Sequence, residues 1–505
     1  MTENAKRDNT VYYISVVIMV ALVLIGLFSP EKFGAATNAI FGFLSKYFGW
    51  WYMLAMNCFV LFPICLAASR FGKLTLGEEN SKPEFSNTAW FGMLFGAGMG
   101  VGLVFYGVGE PLTHFATPPF GAELNSAQAA EDALRASFFH WGLHPWAGYS
   151  VIALCLAYFQ FRKGAPGLMS SLFLPVLGPN GHLKPIGKAV DILTIFATVA
   201  GIATSLGLAV LQINSGLEYI FGIPKHVGVQ IAVLLILGFI YTFTAVTGID
   251  KGIKFLGNMN LCLVCFLAGA LLLLGPTLAI FESFVAGVGG YFSNLVSESF
   301  NTAPYGGPYK EWLGKWTIYY WAWWIAWAPF VGSFIARISR GRSIRQFVAG
   351  VLLVPAFGSF CWFAIFGGTG LELQMSGVAD LVKDVKADIS TGVFVMYEHV
   401  TLGSVMSVVM LLLICTFFIT SANSSTFVLS MYSTEGELNP PKSRMVIWGA
   451  MQAAFAFVLL LTGGLSALQI ASITAAGPFS FIMILACWGL WKALQKDFPE
   501  GAVIR

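Results

Sequence analysis

Gly96-Ala97-Gly98-Met99-Gly100-Val101-Gly102 lies inside an apolar run covering 89–109. Four glycines at alternate positions make a continuous helix costly there, at about 1 kcal/mol for each glycine relative to alanine, so the run is expected to unwind in its middle. A dinucleotide-binding loop would need a strand before the glycines and a soluble βαβ unit around them; this segment has neither. Gly98 and Gly102 also have the four-residue spacing of a close helix-packing face. A second interruption, Pro329 followed by Gly332, sits in the apolar run 317–336. Interrupted hydrophobic segments at corresponding places in two halves of a chain mark the midplane site of a secondary transporter.

Working outward, the 505-residue chain is 57% hydrophobic and 10% charged, with a mean hydropathy of +0.75, far from the composition of a soluble domain. Apolar runs long enough to cross a bilayer as helices recur near 11–28, 48–68, 89–109, 137–161, 189–220, 227–246, 259–281, 317–336, 347–367, 402–431, 445–463 and 467–492. The fold class is all-α integral membrane, with twelve transmembrane helices. The two breaks, five helices apart, imply a 5+5 repeat of spans 3–7 and 8–12 after two extra helices, with broken helices at spans 3 and 8, although the halves share no residue-level identity. No linker divides the chain, so 1–505 reads as a single membrane domain. Its parts are 1–88 (N-terminal tail and two extra helices), 89–281 (first repeat), 282–316 (a surface amphipathic helix), 317–492 (second repeat) and 493–505 (a short cytoplasmic tail).

Charge orients the chain. With both termini in the cytoplasm, 20 Lys and Arg fall in inside loops against 8 outside, as the positive-inside rule requires. The first run follows Lys6 and Arg7 but lacks a cleavage site, so it reads as a retained helix rather than a signal peptide. The densest basic stretch, Arg337-Ile-Ser-Arg340-Gly-Arg342-Ser-Ile-Arg345, suits topological anchoring, with lipid head-group binding or a cytoplasmic latch as alternatives. Nucleic acid is not an expected partner. All eight cysteines fall in spans, which argues against a disulfide framework.

Trp321-Ala322-Trp323-Trp324-Ile325-Ala326-Trp327-Ala328-Pro329 places four tryptophans in seven residues without an acidic neighbour. Tryptophan faces hold cations by their quadrupole, worth roughly 2 kcal/mol per desolvated contact. Neutral rings suit a cation that cannot donate hydrogen bonds, a quaternary ammonium; the competing reading is an interfacial aromatic belt. His140-Trp141-Gly142-Leu143-His144-Pro145-Trp146-Ala147-Gly148-Tyr149 adds Trp141, Trp146 and Tyr149 as a second aromatic group. Its two histidines have metal-ligand spacing, but a third ligand is missing and Pro145 disturbs the helix there. In Thr416-Phe417-Phe418-Ile419-Thr420-Ser421-Ala422-Asn423, hydroxyls could simply bond back to the helix. Beside an unwound third span, Thr420 and Ser421 instead offer hard oxygen ligands, which suits Na⁺. A scarcity of ionisable groups at span centres favours Na⁺ over H⁺ coupling.

The segments Gly98-Met99-Gly100-Val101-Gly102, Phe-His-Trp-Gly-Leu-His-Pro-Trp at 139–146, Tyr-Trp-Ala-Trp-Trp at 320–324, Ala-Arg-Ile-Ser-Arg-Gly-Arg-Ser-Ile-Arg at 336–345 and Thr-Ser-Ala at 420–422 resemble the betaine/carnitine/choline transporter (BCCT) family across essentially the whole chain. The resemblance implies the twelve-helix inverted-repeat fold, usually a homotrimer, in the bacterial plasma (inner) membrane. It implies an aromatic box of Trp141, Trp146, Tyr149 and Trp324, with Trp321, Trp323 and Trp327 along the substrate path and Gly100 and Gly102 in the unwound segment beside it. One Na⁺ would take the carbonyls of Gly96, Met99 and Phe417 and the hydroxyls of Thr420 and Ser421. A second family site would use Thr198 and Phe330, but its other threonine position is Ile202 here; Thr204 and Ser205 are nearby substitutes. Choline carriers resembling this motif tend to place Asp where Gly102 stands, and sodium-independent carnitine exchangers Arg where Asn260 stands; both charges are missing. Asn423 stands where many relatives have Asp.

The expected function is therefore import of a quaternary-ammonium zwitterion, glycine betaine or a close analogue, by Na⁺ symport with alternating access. Its partners are the small-molecule substrate, membrane lipid and Na⁺ as coupling ion, with no other cofactor. The alternatives are a sodium-independent exchanger of carnitine- or betaine-type substrates and a choline transporter. A channel would need a repeated filter motif and an enzyme a nucleophile–base or metal constellation; neither pattern occurs in the spans. The short tail after the last span suits a nutritional rather than an osmosensing role.

Overall fold

The computed structural model describes residues 8–79, 81–98, 100–248 and 250–499. It is helical throughout; among the described residues the one β-type pairing is an isolated antiparallel bridge between Thr75 and Ser343. The longer helices are α1 (Thr10–Phe28), α2 (Pro30–Ala68), α3 (Asn87–Gly98), α4 (Val101–Ala116), α5 (Ala127–Trp141), α6 (Leu143–Lys163), α7 (Pro185–Phe221) and α8 (Val227–Thr247). They continue as α9 (Asp250–Leu274), α10 (Thr277–Phe300), α11 (Pro308–Lys315), α12 (Thr317–Ile338), α13 (Ile344–Trp362), α14 (Gly368–Met375), α15 (Gly403–Tyr432) and α16 (Lys442–Asp497). Among the described residues, nine helices are long and apolar enough to cross a membrane, or ten if a bent pair counts as one span. The protein is an all-helical integral membrane protein.

That bent pair is α3 with α4, which meet at 63° across the glycine run. Gly100 is extended there (φ −153°, ψ −175°), so the first N–H groups of α4 lack intrahelical partners. The corresponding break expected at Pro329 and Gly332 does not occur: α12 runs as one helix through both. The helix passes the proline ring, and the Pro329 carbonyl accepts the Tyr432 hydroxyl at 2.8 Å. Gly332 serves close packing instead, because a Cβ there would lie 2.6 Å from Ile152 Cγ2 on α6. The interruption in this half falls elsewhere. α13 loosens into a π-helical turn at Phe363–Gly367, and α16 is two helices joined at Gly463–Gly464, where Gly464 has φ +55° and ψ −131°, a conformation only glycine adopts readily.

The fourth apolar run also begins later than its hydropathy suggests. The chain breaks at Gly142 between α5 and α6, where a Cβ would lie 2.8 Å from the Tyr291 hydroxyl. That hydroxyl, on α10, accepts the N–H of Leu143 at 3.0 Å, so a helix expected on the surface seals the head of α6. α10 is further tied to α5 by the Arg135–Glu298 ion pair at 2.9 Å. At the opposite end, Lys188 of α7 donates to Asp8 and holds that carboxyl well below the usual carboxylate range. Among the described helices counted as long and apolar enough to cross a membrane, α7 is the most enclosed, and α16, α15, α12 and α4 pack around it.

The basic stretch after α12 joins two loops. Arg342 donates to Asn87 Oδ1 at 2.8 Å and to the carbonyls of Phe85 and Ser86, with its guanidinium 3.9 Å from the Trp90 ring centroid. Arg345 donates to the Ala67 carbonyl at 2.9 Å. These arginines are committed to the chain before the third span, a protein latch rather than a free basic patch.

Candidate functional site

α6 and α12 pack along their length, and each presents aromatic rings at helical spacing. Trp146 and Tyr149 are three residues apart on α6; Tyr320, Trp323, Trp324 and Trp327 repeat at three and four on α12, so each set shares a face. Trp141 is brought to the same place by the break at Gly142. The rings enclose a cavity of about 580 Å³ of empty space, part of it open to solvent. Trp141, Trp146, Tyr149, Trp323, Trp324 and Trp327 line it, together with Gly100, Val101, Gly102 and Leu103 at the start of α4. Pro145, Val331 and three serines, Ser205, Ser359 and Ser421, complete the wall. No charged side chain is among these residues.

The rings are mutually braced. Trp324 lies 4.8 Å from Trp141 at 73°, 6.4 Å from Tyr149 at 85° and stacks on Trp323 at 4.8 Å and 15°. Trp146 meets Tyr149 edge-on at 5.5 Å. Their N–H groups are fixed as well: Trp324 Nε1 donates to the His140 carbonyl at 3.0 Å, and Trp327 and Trp323 both donate to the Gly201 carbonyl, at 2.7 and 3.4 Å. Gly102 fits beneath two rings, where a Cβ would stand 2.5 Å from Trp323 Cη2 and 3.1 Å from Trp141 Cη2. Gly100 has open space instead.

Trp321 is placed away from the cavity. It stacks on His144 at 4.7 Å and 21° and lies 5.2 Å from Phe139, against the head of α6 and the end of α5. His144 also turns away from His140: its Nε2 lies 3.1 Å from the Ser299 hydroxyl, so the two histidines do not converge on one point.

Of the oxygens considered for a cation, the Thr420 hydroxyl lies 3.2 Å from the Phe417 carbonyl and 3.0 Å from that of Thr416, and Asn260 Nδ2 donates to it at 3.3 Å. Ser421, the next residue, faces the cavity. Gly96 lies near the end of α3 with open space beside it; Met99 lies outside the described residues. In the second set, the Thr198 hydroxyl is bonded to the Thr194 carbonyl at 2.8 Å, Phe330 packs edge-on against Trp327 at 5.5 Å, and Ile202 is buried without an oxygen to give. Thr204 is spent on the Leu468 carbonyl and Ser472 hydroxyl, both at 2.8 Å. The Ser205 hydroxyl is buried with no hydrogen-bond partner among the described residues and lines the cavity, free to meet a solute.

The sequence reading missed Glu110, which sits one residue beyond the run 89–109. It is fully buried and receives Trp141 Nε1 at 3.0 Å. With His114 and His140 it forms a group whose ligand atoms could meet a metal ion. However, Trp312 Nε1 donates into His114 Nδ1 at 3.1 Å, which leaves the proton on Nε2, the atom facing Glu110. The cluster is thus a hydrogen-bonded network rather than an open ligand set. The available signal was an acidic residue four positions before a histidine at the end of an apolar run.

A cavity of braced, uncharged aromatic rings beside a free helix N-terminus is suited to a solute with a bulky cationic end and an anionic one. Residues 10–499 match the family described as BCCT, betaine/carnitine/choline family transporter. The chain is 47% identical over 495 residues to the glycine betaine transporter OpuD of Bacillus subtilis, covering 98% of this chain and 96% of that one. It is 44% identical over 490 residues to an ectoine/hydroxyectoine transporter of Virgibacillus pantothenticus, with 97% of each covered. To a glycine betaine transporter of Acinetobacter baylyi it is 38% identical over 495 residues, covering 98% of this chain and 74% of that one. Full-length similarity of this order, together with the cavity, establishes that the chain belongs to the betaine/carnitine/choline family of membrane transporters and is not an enzyme.

Proposed function

We propose that this transporter imports glycine betaine or a close methylated-ammonium zwitterion by Na⁺ symport, with alternating access around the cavity between α4, α6 and α12. The observation that carries the reading is the pairing of two chemistries in one cavity. A quaternary nitrogen has no N–H to satisfy, so the faces of Trp141, Trp146, Tyr149 and Trp324 can hold it without an acidic partner. A carboxylate on the same solute can take the unpaired N–H groups at the start of α4, where the helix dipole also favours an anion, and the Ser205 hydroxyl adds a donor. Gly102 leaves this end uncharged, which favours a zwitterion over choline. The relative named for ectoine and hydroxyectoine shares 44% identity, so overall similarity does not rank these solutes, and the rings carry the preference for a methylated ammonium.

For the ion, we assign the Phe417 carbonyl, the Thr420 and Ser421 hydroxyls and the Gly96 carbonyl, oxygen-only ligands suited to a hard cation. In this reading α1, α2, the α3–α4 pair, α6, α7, α8, α9, α12, α13, α15 and the two halves of α16 make twelve crossings. Both termini are then cytoplasmic, the membrane is a bacterial plasma membrane, and the family's homotrimer is the working assembly. The test is accumulation of labelled glycine betaine by proteoliposomes under an inward Na⁺ gradient, with choline, carnitine and ectoine as competitors. Uptake that is absent, or that choline inhibits more strongly than unlabelled betaine does, would refute it. A second reading, sodium-independent exchange, is favoured by Ile202 and by the engaged Thr204 hydroxyl. Accumulation without Na⁺ against an opposing betaine gradient would establish it.

A further inference from the structure

The cavity wall is uncharged, yet one indole behind it lies an enclosed carboxylate. Trp141 Nε1 donates to Glu110 Oε2 at 3.0 Å, and the Tyr320 hydroxyl donates to the same oxygen. His140 Nδ1 and His114 Nε2 lie 2.7 and 3.3 Å from Oε1. Indole N–H groups only donate, and Trp312 fixes the His114 proton on Nε2, so each carboxylate oxygen receives a donor that cannot reverse its role. Four donors converging on two oxygens is the surrounding that suits an ionised carboxylate.

The same cluster reaches the opposite wall. The His140 carbonyl holds Trp324 Nε1 at 3.0 Å; the His140 ring stacks on Tyr320 at 4.6 Å, and Tyr320 stacks on Trp324 at 5.6 Å and 22°. Trp141 and Trp324, two walls of the candidate cation site, are therefore oriented from one buried acid. We propose that Glu110 is the positioning residue of that site: it aims Trp141 directly and Trp324 through His140 and Tyr320, and it supplies behind the rings the negative charge that the wall lacks. This rests on the cavity accepting a quaternary ammonium. The cation then gains two things from one side chain, ring faces held at a fixed angle and a counter-charge too deep for water or Na⁺ to neutralise.

Glu110→Gln keeps the shape but turns an N–H₂ group toward a donor that cannot accept, Trp141 Nε1 on one side or His114 Nε2 on the other. In proteoliposomes its KM for glycine betaine should rise by about tenfold or more while the maximal rate per reconstituted protein stays within about threefold, the signature of lost solute binding rather than lost fold. A KM within about twofold of the parent would overturn the proposal, as would a fall in maximal rate without a change in KM. Should Glu110→Gln not reconstitute, Tyr320→Phe decides, since it removes one donor and keeps the ring: a KM raised about threefold or more supports the proposal and an unchanged one refutes it. If the parent protein itself transports no glycine betaine, the functional reading fails instead.

Discussion

Trp324 is the residue on which the cavity turns, because it touches Trp141, Tyr149 and Trp323 and is pinned by its own N–H. Replacing it with alanine removes a ring face worth roughly 2 kcal/mol to a desolvated cation, or about thirtyfold in affinity. Trp324→Phe should keep part of this, since a smaller ring has a weaker quadrupole; a fluorescence titration with glycine betaine separates the two, and an alanine variant within twofold of the parent would disprove the box. Gly102 makes a steric claim on the same rings. With a Cβ 2.5 Å from Trp323 and 3.1 Å from Trp141, Gly102→Ala must displace both, and betaine affinity should fall by about tenfold or more. Gly102→Asp carries that penalty in addition to its charge, so any gain for choline requires the Trp323 ring to move. These rings were legible in the sequence because tryptophan is rare and its spacing fell on one helical face. Glu110 was not: its partners stand 4, 30, 31 and 210 residues away, a convergence that no local pattern encodes.

At the scale of elements, glycine density foretold the α3–α4 break, whereas Pro329 misled. A proline removes one donor and crowds one turn, at the Ile325 carbonyl four residues back, yet α12 continues through Pro329 as one helix. Gly332 was equally ambiguous, since a glycine that permits a kink and one that admits Ile152 look alike in sequence. Hydropathy marked apolar runs in which long helices form but placed the start of α6 early, because it does not register the backbone contact that Tyr291 makes at Gly142. The basic stretch had three readings, and the protein contacts of Arg342 and Arg345 are ones that a latch requires and topological anchoring permits. Arg342 makes three hydrogen bonds, two of them under 3.0 Å, and covers Trp90; hydrogen bonds to charged groups contribute about 1.5–3 kcal/mol each, so Arg342→Ala should cost about 3 kcal/mol or more. A thermal unfolding scan in detergent should show a drop of several degrees. Arg345→Ala, which loses one such bond, should lower it less, and equal effects would argue against the latch.

For the whole molecule the decisive question is whether ion and solute sites are linked. Ser421 lines the solute cavity while its neighbour Thr420 sits against the Phe417 carbonyl and Asn260, so one turn of α15 touches both proposed sites. An ion bound there would order the segment that also borders the solute, and binding of each would then strengthen the other by the same factor. Removing both hydroxyls, Thr420→Ala with Ser421→Ala, should raise the Na⁺ concentration for half-maximal uptake by about tenfold, or about 1.4 kcal/mol of cation binding. Affinity for glycine betaine at saturating Na⁺ should change far less, because the rings and the start of α4 are untouched. The informative comparison is therefore betaine affinity measured across a Na⁺ series in parent and double variant. Linked sites give curves that converge at high Na⁺ and separate at low Na⁺. Parallel curves, or parent uptake indifferent to Na⁺ but driven by an opposing betaine gradient, would show that α15 holds no coupling ion and that the transporter works by exchange.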